Sequence, residues 1–226
     1  MVYIFIEADN NKVPEYAFLE AIFGRLGIAQ EMYEIISTAG YTNLLNESLP
    51  FIEKMRSNTD AGGMNLVVFD ADTTKNNGGF QKRMEELLTG RDQFGLDFDL
   101  FLWPDNQGDG DVEVLMERIA RHDLYPEIFD CFGKYERCIS SRKNDKGEPF
   151  YTVPNLKNKL HTYFTSLPIS KTKKDKFGHG LWRWEDENIW DLNSDELTPI
   201  KTFLSQYFPQ GSNPTDLQSP NNVVKR

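Results

Sequence analysis

The sequence predicts an α/β fold: a central, mainly parallel four-stranded sheet flanked by helices, with a C-terminal helical extension. Three observations carry that expectation. Four short apolar runs, VYIFIE at 2–7, MYEIIST at 32–38, NLVVFDAD at 65–72 and FDLFLWP at 98–104, each read as a strand. Segments with helical spacing lie between them, and strands alternating with helices indicate parallel strands joined by right-handed crossovers. The run Val67-Val68-Phe69 is apolar throughout, as suits a central strand covered on both faces.

The first intervening helix is marked by Ala17, Leu19, Ile22, Phe23 and Leu26, the second by Leu44, Leu45, Leu49, Ile52 and Met55, and the third by Met84, Leu87 and Leu88. After the fourth strand, Val112, Leu115, Met116 and Ile119 mark another helix, with Asp111 as its N-cap behind Gly108 and Gly110. The pattern then weakens. A helical piece is expected around 125–138, a second from Asn155 to Phe164, a polar loop over 168–180, and a last helix beginning near Glu196 with Ser194 as its cap. Leu197, Ile200, Phe203, Leu204 and Phe208 share one face of that last helix. These signals divide the chain into an α/β core over 1–125, an extension packed on it over 126–208, and a tail over 209–226. The tail is rich in Pro, Asn, Ser and Gly and is expected to be disordered.

A chain of 226 residues with 39% hydrophobic content can bury a proper core. Cys131 and Cys138 have no Cys or His partners at zinc-ligand spacing, so reduced thiols and a cytoplasmic location are expected. No stretch approaches the roughly 18 apolar residues of a membrane span. His122, His161 and His179 are scattered, and no serine sits in a Gly-x-Ser-x-Gly elbow, which argues against zinc or serine hydrolysis. Trp182, Trp184 and Trp190 are expected to pack against the core.

The net charge of −10 is unevenly spread. Residues 1–133 carry 10 basic and 24 acidic side chains, whereas residues 134–180 carry 11 and 4. An acidic core is therefore followed by a basic segment, in which Lys143, Lys173, Lys174 and their neighbours interleave with aromatics such as Tyr135, Phe150 and Tyr151. A groove that tracks a nucleic-acid strand uses this mixture, cations for phosphates and rings for bases; the alternative is a solvated surface with core aromatics.

Glu7 closes the first strand and Asp70 and Asp72 close the third. Parallel strands bring their C-terminal ends to one sheet edge, where open α/β sheets bind ligands. A 2-1-3-4 strand order, with strands about 4.8 Å apart, would place these three carboxylates within reach of one hard cation, Mg²⁺ or Mn²⁺. Clustered carboxylates raise one another's pKa, so such a cluster favours a cation. The loop Asp105 to Glu113 returns further acids to the same edge, with Asp111 and Glu113 as additional ligand candidates. Lys75, in the polar loop after Asp72, is a candidate phosphate contact, although no Gly-x-x-x-x-Gly-Lys-Ser/Thr loop is present.

Glu7, the Thr38-Ala39-Gly40 turn and Asp70-Ala71-Asp72, in that order at three strand ends, resemble the Toprim domain shared by topoisomerases, bacterial primases and the OLD nucleases. The later Gly110-Asp111-Val112-Glu113 stretch resembles small bacterial Toprim-like proteins of unknown function. So does the ending Trp190-Asp191-Leu192-Asn193 with Leu197, Pro199, Ile200, Phe203 and Leu204. The resemblance spans about residues 1–208. It implies Glu7 as general acid/base or first metal ligand, Asp70 and Asp72 as ligands of a catalytic ion, and Glu113 as completing a second metal site. One or two Mg²⁺ or Mn²⁺ ions would serve phosphodiester hydrolysis of nucleic acid. The alternative it leaves open is a metal- or nucleotide-binding regulator with little turnover. It also implies a separate ATPase partner.

Overall fold

A computed structural model describes residues 1–8, 14–177 and 182–208. The expected tail over 209–226 and His179 lie outside the described residues. Strands β1 (Val2–Ile6), β2 (Tyr33–Ser37), β3 (Met64–Asp70) and β4 (Asp99–Trp103) form one parallel sheet in the order β2-β1-β3-β4. Helices α1 (Pro14–Leu26), α2 (Tyr41–Leu44), α3 (Phe51–Asp60), α4 (Phe80–Phe94) and α5 (Val112–Arg118) belong to the sheet region. They are followed by α6 (Pro126–Ser141), α7 (Leu156–Ser166), α8 (Lys171–Phe177) and α9 (Thr198–Ser205).

Strand order and crossover handedness together decide which helix covers which face. The chain steps from β1 outward to β2 through α1, then reverses to reach β3 through α3 and continues the same way to β4 through α4. Right-handed crossovers therefore put α1 on one face and α3 with α4 on the other. The core divides accordingly. Ile4, Ile6, Leu66, Val68, Phe101 and Trp103 pack with α1, α5, α7 and α9. The alternate residues Phe5, Val67, Phe69 and Leu102 pack with α2, α3 and α4.

Residues after 125 build much of the first face. Tyr163 and Phe164 of α7 and Ile200 and Leu204 of α9 are fully buried there with Trp190. The three tryptophans pack as expected: Trp182 and Trp184 stack at 5.8 Å, and Trp184 lies 4.6 Å from both Phe18 and Trp190. Tyr163 ties the layers, its hydroxyl donating to the Ile189 carbonyl at 2.7 Å.

Two expectations are corrected. The second helix is broken into α2 and α3, because Pro50 disfavours helical backbone at Leu49 and opens α3 at its own N-cap. The expected loop over 168–180 contains α8, which Lys174 anchors by donating to the Thr165 carbonyl at 2.6 Å. The last helix starts as a 3₁₀ turn at Asp195–Leu197, with Ser194 accepting from the Glu196 amide as its cap.

Candidate metal and phosphate site

Register sets the first two carboxylates. Ile6 pairs with Val68, so Glu7 leaves β1 one residue short of the level at which Asp70 ends β3. The two adjacent strand ends lie about 4.8 Å apart. Asp70 follows the alternation of Leu66 and Val68, which carries its side chain to the α1 and α5 face of the sheet. There its Oδ1 accepts from the Val112 amide at the start of α5, 2.9 Å away. Asp111 caps the same helix by accepting from the Val114 amide at 3.1 Å, so its capping role is realised and its carboxylate stays at the edge of the site.

A cleft of about 290 Å³ opens here, lined by Glu7, Glu15, Asp70, Glu113, Gly40 and Lys157 among others. Four carboxylates and one ammonium share it. Glu15, in the first turn of α1, is buried and accepts from the Trp103 indole N–H at 3.0 Å. Sequence reasoning missed it, because an acid in a first helical turn reads as an ordinary partner of the helix dipole. Lys157, near the start of α7, approaches Glu113 to 3.9 Å and is largely exposed.

Burial dominates the protonation of these groups. Glu15 is pushed up to about 8 by desolvation, partly offset by the Trp103 hydrogen bond and reinforced by Glu7 and Glu113. Asp70 is raised well above the carboxylate range by desolvation and then by the charges of Glu15, Glu7 and Glu113. Desolvation also raises Glu7, with Asp72 adding to it and Arg83 opposing it. Glu113 is raised by burial and Asp111, with Lys157 opposing. Burial likewise raises Asp111.

Asp72 takes a different course. Its backbone adopts φ +58°, and its carbonyl accepts from the Gly110 amide at 2.8 Å, which turns the chain away from the strand direction. Gly78 permits this turn: a Cβ there would lie 2.3 Å from the Asp72 Cβ. The Asp72 carboxylate then pairs with Arg83 of α4 at 2.8 Å. Arg83 is 1% exposed, lies 3.4 Å over the Tyr41 ring and also bonds Glu86 at 2.9 Å.

The structure therefore brings Glu7, Asp70 and Glu113 together in the cleft and sets Asp72 on its Arg83 side, where its charge is still felt by Glu7 and Asp111. Lys75 is exposed on the 3₁₀ turn Thr74–Asn76 and does not line the cleft. Lys143 is exposed in the extension, while Lys173 approaches Asp186 at 3.8 Å and Lys174 holds the Thr165 carbonyl.

Among the described residues, no three His, Cys, Asp or Glu side chains form a ready-made metal ligand set. The donors do fit a hard cation in kind: all are carboxylate oxygens, and the buried Glu7 Oε2 has no hydrogen-bond partner among the described residues. Also among the described residues, no helix is long and apolar enough to cross a membrane.

No curated protein and no solved structure matches the chain. A family described as a protein of unknown function, DUF3226, matches residues 4–209, which takes in both strand-end carboxylates, α1 and the whole helical extension through α9. The chain belongs to that family.

Proposed function

We propose that this protein is an Mg²⁺- or Mn²⁺-dependent hydrolase of nucleic-acid phosphodiesters, acting from the cleft at the C-terminal edge of its sheet. One observation carries the reading: four carboxylates converge on a small cleft with a single lysine. Burial first, and the neighbouring carboxylates after it, disfavour the ionised forms of Asp70 and Glu15, so such a cluster holds protons or a cation, and a divalent ion would offset both costs. The Toprim-like order of Glu7, Gly40 and Asp70-Ala71-Asp72 adds to it.

Glu7, Asp70 and Glu113 would hold the ion, with Asp72 and Asp111 at its edge. When bound, the ion supplies Lewis-acid stabilisation of the phosphoryl oxygens. Glu7 has an alternative role: its Oε2, buried without a hydrogen-bond partner among the described residues, would take the proton of the attacking water in place of binding the ion. The remaining groups have separate tasks. Glu15, fixed by the Trp103 indole, orients the back wall and holds a proton close to Asp70. Lys157 reaches the mouth of the cleft from outside the sheet and offers a charge to a phosphate. Two exposed, unpaired cysteines suit a reducing cytoplasm.

A second reading has its own support. Asp72, a catalytic ligand by the Toprim resemblance, is engaged by Arg83, which supports a metal- or nucleotide-binding regulator with little turnover, for which the resemblance implies an ATPase partner. Incubation with single- and double-stranded DNA and RNA in Mg²⁺ or Mn²⁺ separates the two. The hydrolase reading expects cleavage that requires the ion and falls at least about 100-fold in Asp70→Asn. Ion binding with no cleavage of any substrate supports the regulator instead.

A further inference from the structure

Of the large apolar side chains exposed among the described residues, most lie in one stretch of the extension: Tyr135, Phe150, Tyr151 and Val153. Phe150 is 52% exposed and Tyr151 44%, on a small hairpin closed by the Lys143 to Pro149 bridge. Within the hairpin the Phe150 amide donates to the Arg142 carbonyl at 2.9 Å and the Gly147 amide to the Asn144 carbonyl at 2.9 Å. The hairpin therefore holds the two rings in place at the surface. Arg142 lies 4.3 Å over the Phe150 ring and donates to the Tyr151 hydroxyl at 3.1 Å, and the two rings meet edge to face at 4.9 Å, so a guanidinium and two rings form one exposed cluster.

A groove of about 810 Å³ lies between α6 and α7, the helices that flank the hairpin in the chain, and is lined by Glu127, Phe132, Tyr135, Pro154, Asn158 and His161. That volume is in the range of ligand clefts, about 300–1,000 Å³. Chain reach also links the patch to the cleft. Tyr151 and Lys157 are six positions apart, so their Cα atoms lie within about 20 Å of one another.

Charge selects the occupant. Arg142 lies against the rings, and Lys134, Arg137, Lys143 and Lys146 are exposed in the same stretch of chain, whose acids are Glu136, Asp145 and Glu148. Residues 134–180 carry 11 basic against 4 acidic side chains, whereas the preceding 133 residues carry 10 against 24. A polyanion would be attracted to this segment and repelled by the rest of the surface. Exposed ring faces add nothing for a duplex, whose bases are stacked on one another, but they do for a strand with free bases.

We propose that the hairpin and the α6–α7 groove bind single-stranded nucleic acid and lead it to the cleft. Bases lie against Phe150, Tyr151 and Tyr135, and phosphates against Arg142, Lys143 and Lys157. The delivery step rests on the hydrolase reading of the cleft; the binding step does not.

The test is fluorescence anisotropy of a labelled 20-nucleotide single strand and its duplex in EDTA, where metal-dependent cleavage cannot proceed. The expected result is at least a tenfold preference for the single strand, affinity that falls as salt rises, and at least a tenfold loss in Phe150→Ala/Tyr151→Ala. Phe150→Leu/Tyr151→Leu keeps an apolar surface without rings and should lose most of the affinity too. Equal affinity for strand and duplex, or unchanged binding in both double variants, overturns the proposal. So does sedimentation showing that the alanine pair dissolves a dimer while oligonucleotide binding persists, which would give the patch to a second copy of the chain. Single-strand binding that needs the rings, without cleavage in Mg²⁺ or Mn²⁺, supports the groove and removes the hydrolase reading; Asp70-dependent cleavage indifferent to the rings does the reverse.

Discussion

Asp70 and Asp72 stand two residues apart in one strand-end motif and occupy opposite electrostatic surroundings. Asp70 faces a cleft of carboxylates and a backbone amide, and it is raised well above the ordinary range. Asp72 faces a buried guanidinium at 2.8 Å, itself clamped against Tyr41. One side of the motif crowds carboxylates together under burial and the other closes an ion pair. The difference separates a carboxylate whose ionised form its surroundings disfavour from one that a buried guanidinium holds.

Substitutions sharpen this contrast, and the largest effect belongs to the closed side. Arg83→Ala removes the guanidinium from between Asp72, Glu86 and Tyr41 and should lower unfolding stability by about 3 kcal/mol in urea denaturation. Asp72→Asn leaves that buried charge short of a partner and should cost about 2 kcal/mol. Asp70→Asn should change sign, stabilising by about 1 kcal/mol at pH 7.5, because the amide oxygen can still accept from Val112 and a buried amide escapes the desolvation that burial imposes on the carboxylate. Destabilisation by Asp70→Asn comparable with that of Asp72→Asn would erase the distinction.

The pH dependence follows from Glu15. Its carboxyl titrates near 8 in the folded chain and near 4.5 when unfolded, so between those values the folded state holds a proton that the unfolded state has released. Stability should therefore fall as pH rises from about 5 to 8, by up to about 1.4 kcal/mol per pH unit from this group. Glu15→Gln keeps an acceptor for Trp103 and should flatten the slope in denaturation series across that window. The smallest effect is expected at Lys157, whose contact with Glu113 is long and exposed. Lys157→Ala should change stability by less than about 0.5 kcal/mol while lowering cleavage several-fold. A larger stability loss would give this lysine a structural role.

Much of this arrangement was legible in the sequence because strand ends and helix caps are local. The apolar runs located the strands, the turn chemistry around Gly110 located the Asp111 cap, and parallel strands brought Glu7 and Asp70 to one edge. The rest depends on contacts between residues far apart in the chain. Glu15 meets Trp103 across 88 positions, and nothing near either residue signals the pair. Arg83 occupies an ordinary helical position, and only the positive φ at Asp72 aims a carboxylate at it. Lys157 was one basic residue among many until α7 placed it over the cleft. Pro50, by contrast, was a readable break between α2 and α3, but the surrounding apolar spacing masked it.

The central claim, that uncompensated carboxylates in the cleft exist to hold a divalent ion, is met most directly by calorimetric titration of Mn²⁺ at pH 7 in two buffers of different ionisation enthalpy. Binding accompanied by release of about one proton or more, with both signals lost in Asp70→Asn and retained in Lys157→Ala, is the expected result. No binding, or binding that releases no proton and survives Asp70→Asn, would contradict it.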